Sequence, residues 1–150
     1  MTIYFYGAQS ETYGCFSNFS LHGFELDGEY YPTSEHYFQA MKFIGSSQDM
    51  AAVQRAATPH RAAQIGRDRK RPLRPDWEAV KDDVMRRAVL QKFQVHTEIR
   101  TVLLGTGDEE LVENAPRDYY WGIGSKGTGK NMLGKILMET RTLLRAEAEL

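Results

Sequence analysis

A chain of 150 residues with a formal net charge of -1 and 41% apolar residues fits one globular domain, long enough to bury about two-thirds of its unfolded surface. No run reaches the roughly eighteen apolar residues of a membrane span, and Met1-Thr2-Ile3-Tyr4 does not open a signal peptide. Cys15 is the only cysteine, which excludes an internal disulfide and a thiolate zinc site and makes a reducing, cytoplasmic setting the expectation.

In chain order, Ile3-Tyr4-Phe5-Tyr6 predicts a short strand stopped by Gly7. Gly14 to Phe19 reads as a loop in which Phe16 and Phe19 bracket Ser17 and Asn18, short polar side chains that can bond backbone or ligand. Phe24-Glu25-Leu26 and Glu29-Tyr30-Tyr31 flank Asp27-Gly28, a favoured two-residue hairpin turn. Pro32-Thr33 then opens a helix over 33–43, with Thr33 as its cap.

That helix carries the most chemistry. At about 100° per residue, Glu35, Gln39 and Lys42 fall on one face; Phe38 flanks it, and Tyr37, Ala40, Met41 and Phe43 make most of the rest apolar. A helix apolar nearly all round is normally buried, and buried Glu, Gln and Lys require partners. Two readings stay open: mutual pairing at the surface, or the lining of a polar pocket. Glu35, near the second helical position, feels the positive end of the helix dipole. It therefore suits a base, a hydroxyl acceptor or a stabiliser of positive charge better than a proton donor. Lys42 becomes a nucleophile if burial lowers its pKa.

Beyond this point helices dominate. Residues 49–57 are alanine-rich and helical, and Thr58-Pro59 starts a further helix that ends at Gly66. Residues 67–75 follow as a loop with two prolines, Arg67, Arg69, Lys70, Arg71 and Arg74 against Asp68, which suits phosphate unless it is merely solvated. Asp76 caps a long helix from Trp77 to about His96, whose stripe is Trp77, Val80, Val84, Met85, Ala88, Val89 and Phe93. A short helix over 97–104, a strand over 110–114 and an aromatic-rich loop over 115–122 centred on Asp118 come next. A last helix begins at Asn131. His22, His36, His60 and His96 lack metal-ligand spacing, so neither metal nor cofactor is expected.

Gly124 to Asn131 nearly matches the phosphate loop G-x-x-x-x-G-K-[ST], but Asn131 lacks the hydroxyl that contacts magnesium, and no buried strand leads into it. This argues against a triphosphatase, although a Gly-rich loop opening a helix can still offer amides to a phosphate. Glu35 and Asp118 are the acids set beside aromatics; if they converge, they can hold sugar hydroxyls or act on a glycosidic bond.

Gly14 to Phe19, the block Thr33 to Phe43, Trp77 with Val84-Met85 and Lys92-Phe93, and Trp121-Gly122 through Gly129 to Met138 together resemble the NADAR/YbiA-like family in order and spacing. The resemblance implies a helix-rich α+β single domain over residues 1–150, with a small sheet or hairpin near its N-terminus, that hydrolyses N-glycosidic bonds. The implied substrates are ribosylamino-pyrimidine phosphates of early riboflavin synthesis, or ADP-ribose attached to guanine in nucleic acid such as DNA. The motif glutamate falls on Glu35, the motif tryptophan on Trp77 and the late acid on Asp118, and Lys42 resembles a lysine with possible Schiff-base participation.

Combined with the residues themselves, this assigns phosphate to Arg67, Arg69, Lys70 and Arg71 and to the amides of Gly127 and Gly129. Base stacking goes to Phe16, Trp77 and Trp121, the last joined to Gly122. Ribose or base edges go to Ser17, Asn18 and Asn131, with Gln39 in the pocket wall. The competing reading of another class is a non-catalytic module that binds ADP-ribose or a nucleotide. No membrane partner is expected.

Overall fold

The computed structural model describes residues 1–149. They form a mixed α+β fold of six α-helices and four short strands, and the chain divides into two compact units.

The first unit holds residues 1–20 and the chain from Phe93 onward. Strand β1 (Thr2–Phe5) lies parallel to β4 (Glu110–Glu113), pairing Ile3 with Leu111 and Tyr4 with Val112. Helix α5 (Thr97–Gly105) packs on α6 (Met132–Ala148), and α6 packs on β4. Phe5, Phe93, Leu103, Leu111, Ile136 and Leu137 are among its buried side chains.

Asn131 fixes the start of α6. It sits in the left-handed region at φ 54°; its Oδ1 accepts from Glu113 N–H at 2.9 Å and its Nδ2 donates to Leu111 O at 2.9 Å. A Cβ on Gly134 would stand 2.1 Å from Leu111 O, so only glycine lets the first turn of α6 lie this close to β4. Asn131→Ala removes both bonds, and with them the side-chain tie between the start of α6 and β4. It is expected to lower the stability of the fold by about 2–4 kcal/mol, read from urea unfolding.

The second unit spans Leu21–Lys92. Strands β2 (Phe24–Leu26) and β3 (Glu29–Tyr31) form the hairpin expected around Asp27-Gly28, with both turn residues at positive φ. The Asp27 carboxylate accepts from Tyr37 Oη at 2.8 Å and from Arg87 at 2.6 Å. Helix α1 (Ser34–Ala40) is capped by Thr33 and passes into a 3-10 turn, Met41–Phe43, so the expected single helix changes its pitch just before Lys42. Helices α2 (Ser47–Gln54) and α3 (Pro59–Gly66) both pack on α1. Helix α4 (Trp77–Val95) follows the basic loop, and its turns through Lys92 belong to this unit.

His36 is buried and ties α1 to the end of α2: its Nε2–H donates to Ala56 O at 2.9 Å, and its Nδ1 accepts from Thr33 Oγ1 at 2.8 Å. Burial pulls its pKa below the ordinary 6.5, against a smaller upward push from the Ala56 bond. Above pH 6.5 both folded and unfolded chains hold this ring neutral. Below it the unfolded chain takes up a proton that folded His36 refuses, so stability falls until the folded pKa is passed. Melting temperature is thus expected to drop between about pH 7 and 5, and to drop less in His36→Gln.

Candidate functional site

Within residues 21–92 the structure brings Glu35, Gln39 and Lys42 together. Thr33 Oγ1 accepts from His36 N–H at 3.1 Å and starts α1 so that Glu35 occupies its second position. One turn on, Gln39 Nε2 donates to Glu35 Oε2 at 2.6 Å. Gln39 is 5% exposed, and its Oε1 is buried with no hydrogen-bond partner among the described residues.

Lys42, three residues further on, donates from Nζ to Gly66 O at 3.3 Å. Its Nζ lies 5.9 Å from the Phe38 ring centre and 5.8 Å from that of Trp77, and these rings meet edge to face at 5.0 Å. An ammonium over two aromatic faces gains cation–π attraction while losing water. Burial dominates and lowers the Lys42 pKa; Glu35 and Glu78 pull it up, while Arg67 and Lys81 add to the lowering. The result is an amine moved toward its nucleophilic, neutral form beside a carboxylate that accepts hydrogen bonds.

Trp77 is only 6% exposed, so it is the inner wall behind Lys42 and not an open stacking plate. Of the basic loop, Arg67, Arg69 and Lys70 are exposed. Arg71 instead pairs with Asp49 at 2.8 Å and with Asp68 at 3.3 Å, and Arg74 pairs with Asp76 at 2.7 Å. Arg71 is therefore a correction: it ties the loop to α2, because a half-buried guanidinium requires a carboxylate partner.

The remaining expected residues belong to the other unit. Phe16 is 1% exposed, with Tyr13 stacked on it at 5.4 Å and Phe5 and Phe93 against it at 5.6 and 6.1 Å. It is core, and its faces are already occupied by aromatic neighbours. Ser17 is buried, its Oγ accepting from Phe19 N–H at 3.1 Å, and Asn18 beside it is half-buried. Asp118 Oδ1 accepts the amides of Tyr120 at 3.0 Å and Trp121 at 2.8 Å, which shapes the 118–121 turn. Trp121 is half-buried and meets Tyr120 edge to face at 4.9 Å.

The phosphate-loop likeness dissolves here. Gly127 N–H donates to Gly124 O at 3.2 Å and Gly129 N–H to Ile123 O at 2.8 Å. Lys130, Asn131, Met132 and Leu133 donate their amides to Tyr119, Gly122, Tyr120 and Trp121 carbonyls. The amides that would cradle a phosphate are spent on the preceding loop. Asn131 likewise has its side chain committed to β4, so neither it nor the Gly127 and Gly129 amides serve a ligand. Gly122 is small because a Cβ would stand 2.9 Å from both Ala115 Cβ and Glu113 O.

Phe38 is legible in the sequence as the flank of the polar face, but not as the ring beneath the ammonium. Gly66 escaped the sequence reading: it gave a helix-stop signal, whereas its carbonyl and its missing side chain are what the site uses.

A model of the NADAR domain matches residues 4–145. The chain belongs to the NADAR family. Among NADAR relatives, N-glycosidase Npun_R5314 of Nostoc punctiforme is 52% identical, with 97% of this chain and 94% of that protein covered. N-glycosidase YbiA of Escherichia coli is 47% identical, covering 97% and 91%. The NMR structure of YbiA superposes with a TM-score of 0.90 over 98% of this chain and 86% of that one. The Zea mays protein named riboflavin biosynthesis protein PYRR, chloroplastic, is 40% identical; the match takes 88% of this chain and 23% of that longer protein. The α+β, helix-rich architecture expected from the sequence is thus that of the NADAR fold. Among the described residues no group of three or more His, Cys, Asp or Glu is placed to hold a metal ion, and no helix is long and apolar enough to cross a membrane.

Proposed function

We propose that this chain is an N-glycosidase, a hydrolase acting on N-glycosyl compounds, that cleaves the ribose C1–nitrogen bond of phosphorylated N-ribosides. The observation that carries the reading is the Glu35–Gln39–Lys42 cluster: a carboxylate and a desolvated amine 3.3 Å from a carbonyl, walled by Phe38 and Trp77. The names of the Nostoc and Escherichia relatives support the reaction class. The name of the maize relative supports a substrate in riboflavin synthesis.

As the C1–N bond breaks, the base leaves with the bonding electrons and takes a proton, and positive charge develops at ribose C1. Glu35 stabilises that charge, since a fixed carboxylate in a water-poor site acts most strongly where charge appears. Neutral Lys42 bonds to C1 through Nζ and passes one proton to the departing base. The C1–ring-oxygen bond then opens, the ring oxygen taking the second Nζ proton, which leaves a C1=Nζ Schiff base. Water adds across that bond, its protons return to Nζ as the C1–Nζ bond breaks, and the free sugar and the neutral amine are left. Arg67, Arg69 and Lys70, just past Gly66, hold the phosphate.

The ribosylamino-pyrimidine phosphates are the first substrate class and ADP-ribosylated guanine the second; the near-neutral chain charge favours a small metabolite over a broad DNA footprint. The test offers both compounds to the protein side by side. Free sugar phosphate from the first supports the reading as stated, and ADP-ribose from the second transfers it to nucleic acid. Calorimetric binding of ADP-ribose with no cleavage of either replaces it by the binding module.

A further inference from the structure

Gly66 is the last residue of α3, and its backbone is not in the left-handed region. Conformational freedom therefore does not explain a glycine there. Space does. A Cβ at position 66 would lie 1.9 Å from Gln39 Oε1, 2.6 Å from its Cδ and 3.1 Å from its Cβ. The volume a side chain would take is filled by the Gln39 amide, which is buried and bonded on its other end to Glu35 at 2.6 Å. The same residue's carbonyl takes the Lys42 Nζ hydrogen bond at 3.3 Å.

One residue of α3 thus touches both arms of the cluster carried by α1 and the 3-10 turn after it. From this we infer that Gly66 is a positioning residue: its bare Cα sets the Gln39 amide, and through it the Glu35 carboxylate, while its carbonyl sets Lys42. The inference rests on the glycosidase reading for its consequence in turnover, but the geometry it invokes is independent of any substrate. Any side chain at 66 must push the Gln39 amide away, releasing Glu35 Oε2 or dragging it along. Displacing a reacting group by about 1 Å costs on the order of 10²-fold in rate.

The experiment compares Gly66→Ala with the parent in two measurements. The first is proton–nitrogen NMR of the Gln39 side-chain amide, whose short bond to a carboxylate moves one amide proton well downfield. Gly66→Ala is expected to remove that shifted signal, with or without a working substrate. The second is steady-state kinetics on the substrate that the parent cleaves: kcat falls about 10²-fold with KM changed less than about threefold.

Gln39→Ala supplies the control for folding. Adding Gly66→Ala to Gln39→Ala leaves only the 3.1 Å contact to a Cβ, so both melting temperature and kcat stay near those of Gln39→Ala alone. An unchanged Gln39 amide signal in Gly66→Ala overturns the inference. So does an equal loss from Gly66→Ala in both backgrounds, which makes Gly66 a packing residue only. Absence of turnover in the parent defeats the glycosidase reading and leaves the NMR and melting arms to decide the role of Gly66.

Discussion

Lys42→Arg is expected to fold normally and to lose turnover by about 10³-fold or more in kcat/KM. The substitution keeps the positive charge and the long stem, so a lysine that serves only as a cation tolerates it. A nucleophile does not, because a guanidinium cannot give up its proton in a protein. Burial lowers the Lys42 pKa, and Arg67 helps, so the folded chain holds the charged amine at a cost. Lys42→Met should therefore melt no lower than the parent while being equally inactive. Loss of activity without loss of stability is the mark of a group kept for chemistry. Reduction with borohydride during turnover is expected to fix sugar phosphate on the parent chain at Lys42, and nothing on either variant. Arginine retaining most of the activity would reduce Lys42 to an electrostatic part.

Glu35→Gln is the second large effect: kcat is expected to fall by about 10²- to 10³-fold with KM nearly unchanged. The change is isosteric, and an amide oxygen at position 35 still accepts from Gln39 Nε2, so the 2.6 Å contact survives in lengthened form. What is lost is the negative charge facing ribose C1, which matters only as positive charge develops there. A rise in KM with kcat intact would instead make Glu35 a ground-state hydroxyl acceptor. Steady-state kinetics on the parent's own substrate separates the two.

Much of this site is local, and local features were legible in the sequence. Thr33 as a cap, the Asp27-Gly28 turn and the spacing of Glu35, Gln39 and Lys42 follow from chain geometry within a few residues. What could not be read was set by partners far along the chain. The alternation of residues 110–114 announces a strand, but nothing in it says that β1, more than a hundred residues earlier, pairs with it in parallel. Phe16 looked ligand-facing because an aromatic beside Ser and Asn reads the same in a core as in a pocket. Phe5 and Phe93 decide the matter, and neither is near it in sequence.

The glycine loop before α6 teaches the same point from the other side. Its residue pattern promised free amides, and the carbonyls that consume them come from Tyr119 to Gly124, a segment whose aromatic pattern says nothing of that role. The Asn131 and Gly134 signature proves to be a fastening of α6 to β4. It specifies the fold, whereas the α1 block holds the catalytic candidates. Gly66 was legible only as punctuation, since its function depends on what fills the space beside it.

The most direct measurement is mass spectrometry of the products formed from a ribosylamino-pyrimidine phosphate and from ADP-ribosylated guanine oligonucleotide, each with the parent and with Glu35→Gln. The account predicts that the parent releases one sugar with its phosphate intact and a nitrogen compound carrying no sugar, and that Glu35→Gln releases about a hundredth as much or less. Inorganic phosphate released with the C1–N bond unbroken, or both compounds recovered whole, would contradict it.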